Sequence, residues 1–231
     1  MLIICDLDGT LIDSAPRHLA VLNDLLAEYG LPAADSSYLE EKRGGLSTRD
    51  YLRLHGIGTP EARQKICTGW IQRIEEEEYL KLDTWIQPRC RKIAELHDAG
   101  HRIVLLSARR NAAFIIAAAR ARFPFLKEED IRIVDPMEVK ARKRAAVAAL
   151  SGGEPGILIG DTEADAAACE GSAVLPWLLN TGFRSEAFLA GLGCQSHDSL
   201  DGVESLLRRA AEYDPKSADP RRDPAGKEIP S

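Results

Sequence analysis

Two aspartates stand two residues apart where the first apolar run ends, Asp6 and Asp8 in "ICDLDGT" (4–10). Alternate side chains of an extended strand point to one side, so both carboxylates can address one substrate. Carboxylates that close repel each other, which favours a bound cation or a shared proton. Two further polar groups follow later apolar runs. Ser107 closes "RIVLLS" and leads into Ala108 and Arg109, and Asp161 with Asp165 sits in "IGDTEAD". Asp161 and Asp165 are four apart and share a face if a helix starts there. Hard oxygen donors grouped in this way suit Mg²⁺, which also takes phosphate oxygens. Aspartate after a strand is also a common cap or turn former. "DLDGT" is more specific, since its spacing arises by chance only about once in 10⁵ positions.

These groups need a scaffold that brings distant segments to one rim. Strand-length apolar runs occur at 2–5, 102–107, 131–134, 156–160 and 173–179, separated by helix-like stretches at 88–99, 110–123, 140–150, 163–170 and 184–191. That alternation predicts an α/β fold, a parallel sheet with helices on both faces, whose ligands bind at the carboxyl ends of the strands. From about Ala15 to Asp83 the alternation stops. Leu19, Leu22, Leu25, Leu26 and Tyr29 recur at helical spacing and end at Gly30 and Pro32. Stretches 47–55 and 59–79 also read as helices, with the "EEEE" at 75–78 on a solvated helix surface. The expected organisation is a core of 1–14 and 84–213, an all-helical insertion of 15–83, and a disordered tail of 214–231, rich in Pro and charge.

Charge and composition narrow the class. The net charge of −6 offers no basic field for nucleic acid, and "KARKR" (140–144) reads as a solvated helix face. No apolar stretch reaches the roughly 20 residues of a membrane span. Five scattered cysteines without a CxxC pair point to free thiols and a cytoplasmic location. The five histidines show no metal-like spacing and are expected to be non-catalytic. Trp70, Trp85 and Trp177 are expected to pack in the core or at a hinge.

"DLDGTLIDSAP", "LLSAR", a downstream lysine and "IGDTEAD", in that order over residues 1–210, resemble the four motifs of the haloacid dehalogenase-like hydrolases. The helical insertion resembles the small cap of the phosphoglycolate phosphatase and β-phosphoglucomutase branch. The resemblance implies a Rossmann-like three-layer α/β/α core and a Mg²⁺-dependent phosphatase acting on a small phosphorylated metabolite. It makes Asp6 the nucleophile that forms an aspartyl-phosphate and Asp8 the general acid and base. Ser107 and Ala108 would hold the phosphoryl oxygens. Asp6, the Asp8 carbonyl and Asp161 would ligate the metal, supported by Asp165. The third-motif lysine is Lys143, which Val147 and Leu150 follow at helical spacing, or Lys140, which gives the helix a more usual length.

The alternatives are a phosphomutase on the same core, a non-enzymatic phospho-acceptor or regulatory binder, and a phosphatase with an unusual substrate in a specialised pathway. Asp8 speaks against a dehalogenase, and neither Lys42 nor Lys65 sits in a recognisable Schiff-base context. Two departures stand out. Gln87 precedes Pro88 where relatives carry glycine, and "SARRN" holds two arginines. Arg109 reads either as a surface arginine at a helix start or as a fork for a substrate carboxylate or phosphate. Arg43 and Arg49 in "KRGGLSTRD" (42–50) are candidate specificity residues. A monomer or homodimer is expected.

Overall fold

The first strand, β1 (Leu2–Cys5), is buried on both faces and forms the middle of the sheet. Alternation sends Ile3 and Cys5 to one side and Leu2 and Ile4 to the other. The remaining elements, in a computed structural model that describes residues 1–212, follow in chain order. They are β2 (Ile12–Asp13), α1 (Ala15–Glu28), α2 (Ser36–Arg43), α3 (Thr48–Leu54), α4 (Pro60–Arg73), α5 (Glu77–Leu80), β3 (Thr84–Trp85), α6 (Gln87–Asp98), β4 (Arg102–Ala108), α7 (Ala112–Arg122), β5 (Ile131–Val134), α8 (Val139–Ser151), β6 (Gly156–Gly160), α9 (Glu163–Cys169), β7 (Val174–Leu179), α10 (Glu186–Gly191), β8 (Ser196–His197) and α11 (Val203–Glu212).

Six strands pair in the order β5-β4-β1-β6-β7-β8, all parallel. Helices α6, α7 and α11 cover the face of Ile3 and Cys5, and α8 and α9 cover the face of Leu2 and Ile4. This is the three-layer α/β/α arrangement expected of a Rossmann-like fold. Helices α1 to α5 enclose a separate apolar cluster, centred on Val21, Leu22, Leu25, Leu26, Tyr38, Leu52 and Ile66. Of the residues expected at helical spacing, Tyr29 is 41 % exposed at the end of α1 and takes no part in that cluster.

Several elements differ from the sequence reading. Strands β2 and β3 form a two-residue antiparallel ribbon, Ile12 opposite Trp85, through which the chain leaves and re-enters the sheet domain. They are too short to leave a period, as is β8. Helix α2 also escaped notice, because "SSYLEEKR" buries one residue, Tyr38. The helix expected over 59–79 breaks at residues 74–76. The expected tail, 214–231, lies outside the described residues. No helix among the described residues is long and apolar enough to cross a membrane.

Candidate active site

Just past β1 the chain turns sharply. The amides of Thr10, Leu11 and Ile12 all donate to Leu7 O, and Gly9 N donates to Ile12 O. Gly9 adopts a φ of +75°, and a Cβ there would lie 2.2 Å from Asp161 Oδ2. Only glycine allows both the left-handed backbone and that approach. The turn therefore sets the Asp6–Asp8 segment directly against the end of β6. Gly182 does the same from the other side, with a virtual Cβ 2.3 Å from Asp161 Oδ2.

The carboxyl ends of β1, β4 and β6 open into a cavity of about 490 Å³ roofed by the helical segment. Asp6, Asp8, Ser107, Ala108, Arg109 and Lys143 all line it. Its floor, where Asp6 faces the cavity, rests on a buried cluster of Asp6, Asp161 and Asp165, with one carboxylate oxygen of each within 4.8 Å of the others. One lysine pairs with two of the three. Lys143 Nζ lies 2.9 Å from Asp6 Oδ1 and 2.6 Å from Asp165 Oδ1. Lys143 reaches inward because it shares the buried stripe of α8 with Val147. Lys140, one turn earlier, is exposed and does not line the cavity. Of the two lysines, Lys143 lines the cavity and Lys140 does not. The rest of "KARKR" is solvated as expected.

The floor carries more negative charge than its lysine balances. Burial raises the Asp6 carboxyl to about 7, against the pull of Lys143 and reinforced by Asp165. Burial, then Asp6 and Asp165, push Asp161 well above the carboxylate range. Burial opposes the charge on Lys143, yet Asp165 and Asp6 outweigh it and hold the ammonium protonated. Asp165 is largely engaged by the protein. Its Oδ2 accepts from Thr162 N at 3.0 Å and Thr162 Oγ1 at 2.7 Å, capping α9. Asp161 accepts from Thr10 Oγ1 at 3.2 Å and Phe183 N at 2.6 Å. Oxygen-only donors, crowded and under-neutralised, are the donor set a hard divalent cation fits.

Asp8 belongs to a different cluster. Arg109 Nε donates to Asp8 Oδ2 at 2.8 Å and Arg109 Nη2 to Asp8 Oδ1 at 2.6 Å, and Arg17 Nη2 also donates to Asp8 Oδ1. Both arginines turn to Asp83 as well, Arg17 Nε at 2.9 Å and Arg109 Nη2 at 3.0 Å. Burial works against the Asp8 charge, but Arg109 and Arg17 outweigh it and hold the carboxyl well below its usual range. Burial leaves Asp83 raised despite the same two arginines. The Asp8 carboxylate thus stands outside the acidic cluster of the floor. Arg109 is 3 % exposed, which overturns the reading of a surface arginine.

Other expected residues lie elsewhere. Arg43 donates to Asn180 O at 2.6 Å and lines a smaller cavity of about 200 Å³ beside Gly9. Arg49 is exposed and bonded to Gln64. Neither lines the main cavity. Trp70, expected to pack in the core or at a hinge, packs against the apolar cluster of the helical segment and also lines the cavity, with His18 and Phe183. Glu75, expected on a solvated helix surface, accepts from Arg110 N and Asn111 N at 2.6 Å each, at the start of α7. Sequence reasoning also missed Arg17, Asp83 and Arg184. Arg17 pairs with residues 9 and 66 positions away, Asp83 also with one 26 away, and Arg184 with one 21 away, so no local spacing marks them. Three buried polar atoms of cavity residues have no partner within the protein: Ser107 Oγ, Arg109 Nη1 and His18 Nδ1.

A sheet with this strand order, an aspartate pair after its central strand and an acidic cluster under one buried lysine define a class. The model of the haloacid dehalogenase-like hydrolases matches residues 1–172, and the chain belongs to that family. Among solved structures it is similar to a predicted phosphoglycolate phosphatase from Haemophilus somnus, at 15% identity and a TM-score of 0.65, covering 89% of this chain and 97% of that one. It is also similar to a family hydrolase from Deinococcus radiodurans with bound phosphate and sodium, at 19% identity and a TM-score of 0.62 over 90% and 95% of the two chains. A predicted phosphatase from Clostridium acetobutylicum matches at 17% identity and a TM-score of 0.61 over 90% and 98%. What these structures share with this chain is the fold. Among curated proteins no match is found.

Proposed function

We propose that this hydrolase is a Mg²⁺-dependent phosphatase of small phosphorylated metabolites, working through a phosphoryl group carried on Asp6. The observation that carries the reading is the floor of the cavity. There Lys143 bridges Asp6 and Asp165, Asp161 completes the acidic cluster, and the unpartnered Ser107 Oγ lines the same cavity. A dianionic phosphoryl group entering this cavity meets Lys143 as a cation and Ser107 as a hydroxyl donor. Asp6 is the carboxylate set to attack phosphorus. The leaving oxygen takes a proton, and water then cleaves the acyl-phosphate and restores Asp6.

Asp8 fits the role of proton carrier, with one structural condition. The clamp of Arg17 and Arg109 holds it ionised, the state that accepts a proton from the attacking water. Donating a proton to the leaving oxygen requires that clamp to loosen first. Asp6, Asp161 and the Asp8 carbonyl would hold the cation, with Asp165 in support. Bound there, Mg²⁺ supplies neutralisation of charge between an anionic nucleophile and an anionic substrate.

Residues 15–83 act as a cap over this site, and residues 1–14 with 84–212 as its core. The cap is tied down by Arg17 to Asp8, by Glu75 to the start of α7, and by Arg184 Nη1, which donates to Lys42 O at 3.2 Å. Five free cysteines suit a reducing cytoplasm.

Phosphate release from a generic aryl phosphate, with Mg²⁺ and with EDTA, tests the reading. Mg²⁺-dependent release that vanishes in Asp6→Asn supports it. Equal release by wild type and Asp6→Asn overturns the assignment of the nucleophile.

A further inference from the structure

The cavity is larger than its catalytic floor, and the remainder says what the leaving group is made of. Five cationic side chains line it, and each already holds a carboxylate. Arg17 and Arg109 hold Asp8 and Asp83, Lys143 holds Asp6 and Asp165, Arg184 Nε meets Glu163 at 2.7 Å, and Arg110 Nε meets Glu75 at 3.5 Å. A second anionic group on the substrate, such as a carboxylate, would have to displace a carboxylate from its cation, which is costly at the buried Arg17, Arg109 and Lys143 and less so at the partly exposed Arg184 and Arg110. The volume of about 490 Å³ is that of sites for sizeable organic ligands, well beyond what a two-carbon acid fills.

The wall away from the floor is apolar. Trp70, Ile71 and Ile74 contribute from α4 and its end, Met137 and Val139 from the β5–α8 junction, and Phe183 from the loop after β7. Ile71 is 55 % exposed and Met137 70 % exposed, so the cavity carries uncovered apolar surface on two separate elements. Neither is there by looseness. Ile71 O accepts a hydrogen bond from Arg110 Nη2. Met137 N donates to Asp135 Oδ1 at 2.8 Å, and Arg142 Nε donates to Met137 O at 3.0 Å. Glu138, next in the chain, has a φ of +57°, the one non-glycine residue with positive φ among the described residues. Left-handed backbone at a residue with a Cβ is strained, and such strain gathers at ligand sites.

We propose that the substrate is a phosphomonoester whose leaving group is uncharged and carries an apolar or aromatic body, seated between Ile71 of α4 and Met137 of the β5–α8 loop. This rests on the phosphatase reading for the position of the phosphoryl group and deepens it by naming the substrate class. The unpartnered His18 Nδ1 and Arg109 Nη1 leave places for one or two neutral polar atoms on that body, such as hydroxyls or ring nitrogens. A small phosphorylated acid of the phosphoglycolate kind would leave the apolar wall bare and find no unpaired cation.

The test separates binding from turnover. Methyl-, butyl- and phenylphosphonate and phosphonoacetate are titrated calorimetrically into the full chain with Mg²⁺, and the matching phosphate esters are then assayed for hydrolysis. A buried methylene is worth about fourfold in affinity. Butyl- and phenylphosphonate are therefore expected to bind at least about tenfold tighter than methylphosphonate, and phosphonoacetate no tighter than methylphosphonate. I71S and M137S, at side chains already more than half exposed, should each shrink the butyl-to-methyl ratio severalfold. Phosphonoacetate as the tightest ligand, affinity independent of apolar size, no binding by any phosphonate, or ratios unmoved in both variants would overturn the proposal. Graded phosphonate binding without hydrolysis of any ester would sink the phosphatase reading and leave only the apolar ligand preference of the cavity standing. Hydrolysis without apolar preference would do the reverse.

Discussion

The floor of the cavity and the arginine–aspartate ring beside it solve the problem of buried charge in opposite ways. On the floor, three clustered carboxylates have one lysine, paired with Asp6 and Asp165. In the ring, two carboxylates and two arginines close on each other, with Asp8 and Asp83 each touching both Arg17 and Arg109. A balanced ring needs nothing further, whereas an unbalanced cluster is poised to take a cation or a proton. The lesson is that acidic residues alone do not mark where a cation belongs. Asp6 and Asp8 are two residues apart in sequence, and only their partners set them in different clusters.

The largest effect that would break this contrast is expected at Asp6. Asp6→Asn should lower turnover about 10⁴-fold or more, as loss of a nucleophile does elsewhere. The same change removes one of the crowded charges, so in EDTA the variant should melt no lower than wild type. A variant that is inactive because it is unfolded would show the floor to be held together by Asp6, against the picture of repulsion.

The ring should respond the other way. Arg17→Met leaves Asp8 and Asp83 short of a partner in a buried setting, and breaking such a pair costs about 3–5 kcal/mol. Urea unfolding of Arg17→Met, with Asp83→Asn as the milder partner, measures this. A loss below about 1 kcal/mol in both would mean the ring is not the balanced unit that its geometry describes.

The pH dependence sharpens the same contrast. Asp6 is raised to about 7 when folded, from about 4 unfolded. The folded state then binds more protons between those values, so the floor's contribution is full below about pH 4 and falls as pH rises to about 7. The slope is at most about 1.4 kcal/mol per pH unit for one group. Asp8 is depressed, so its contribution is constant above about pH 4 and is lost only in acid. His18, held low mainly by burial, works against the floor below about 6.5. The difference between melting curves with Mg²⁺ and with EDTA cancels His18 and isolates the floor. That difference should grow from pH 5 to pH 8, because the cation binds the deprotonated carboxylates. A difference that is flat in pH would place the cation away from Asp6.

How much of this was legible in the sequence follows the range of the interactions. The five core strands and the α/β class could be read because each strand is a contiguous apolar run. Asp6, Ser107 and Asp161 could be placed on one rim because each directly follows such a run, and a parallel sheet brings strand ends together. Lys143 was half legible. Its helix was visible, but choosing it over Lys140 needed the face of α8 that turns inward. Arg17 and Asp83 were invisible, since nothing near either residue announces a partner in another layer. Arg109 was visible as a fork, yet its burial depended on the cap closing over it. The cap misled most. Arg43 and Arg49 stand in a glycine-bearing loop that looks ligand-facing, and the structure turns Arg43 to Asn180 O and Arg49 to Gln64. Trp70 and Glu75, read as packing and as solvated charge, are among the residues of that helical segment that line the cavity.

The smallest effect lies outside both clusters, in the loop that carries Met137. Glu138 sits at φ +57°, ψ +39° with no side-chain cap for α8. Strain of this kind costs a non-glycine residue about 1–2 kcal/mol. Glu138→Gly removes it but adds freedom to the unfolded chain, worth about 0.5–1 kcal/mol. The net expectation is a gain of about 0.5–1 kcal/mol in urea unfolding, with the Mg²⁺ difference curve unchanged because neither cluster is touched. A loss of stability instead would show that the loop is held by Glu138 itself. A shift in the Mg²⁺ curve would show that the loop and the floor, separate in geometry, are coupled through α8 and Lys143.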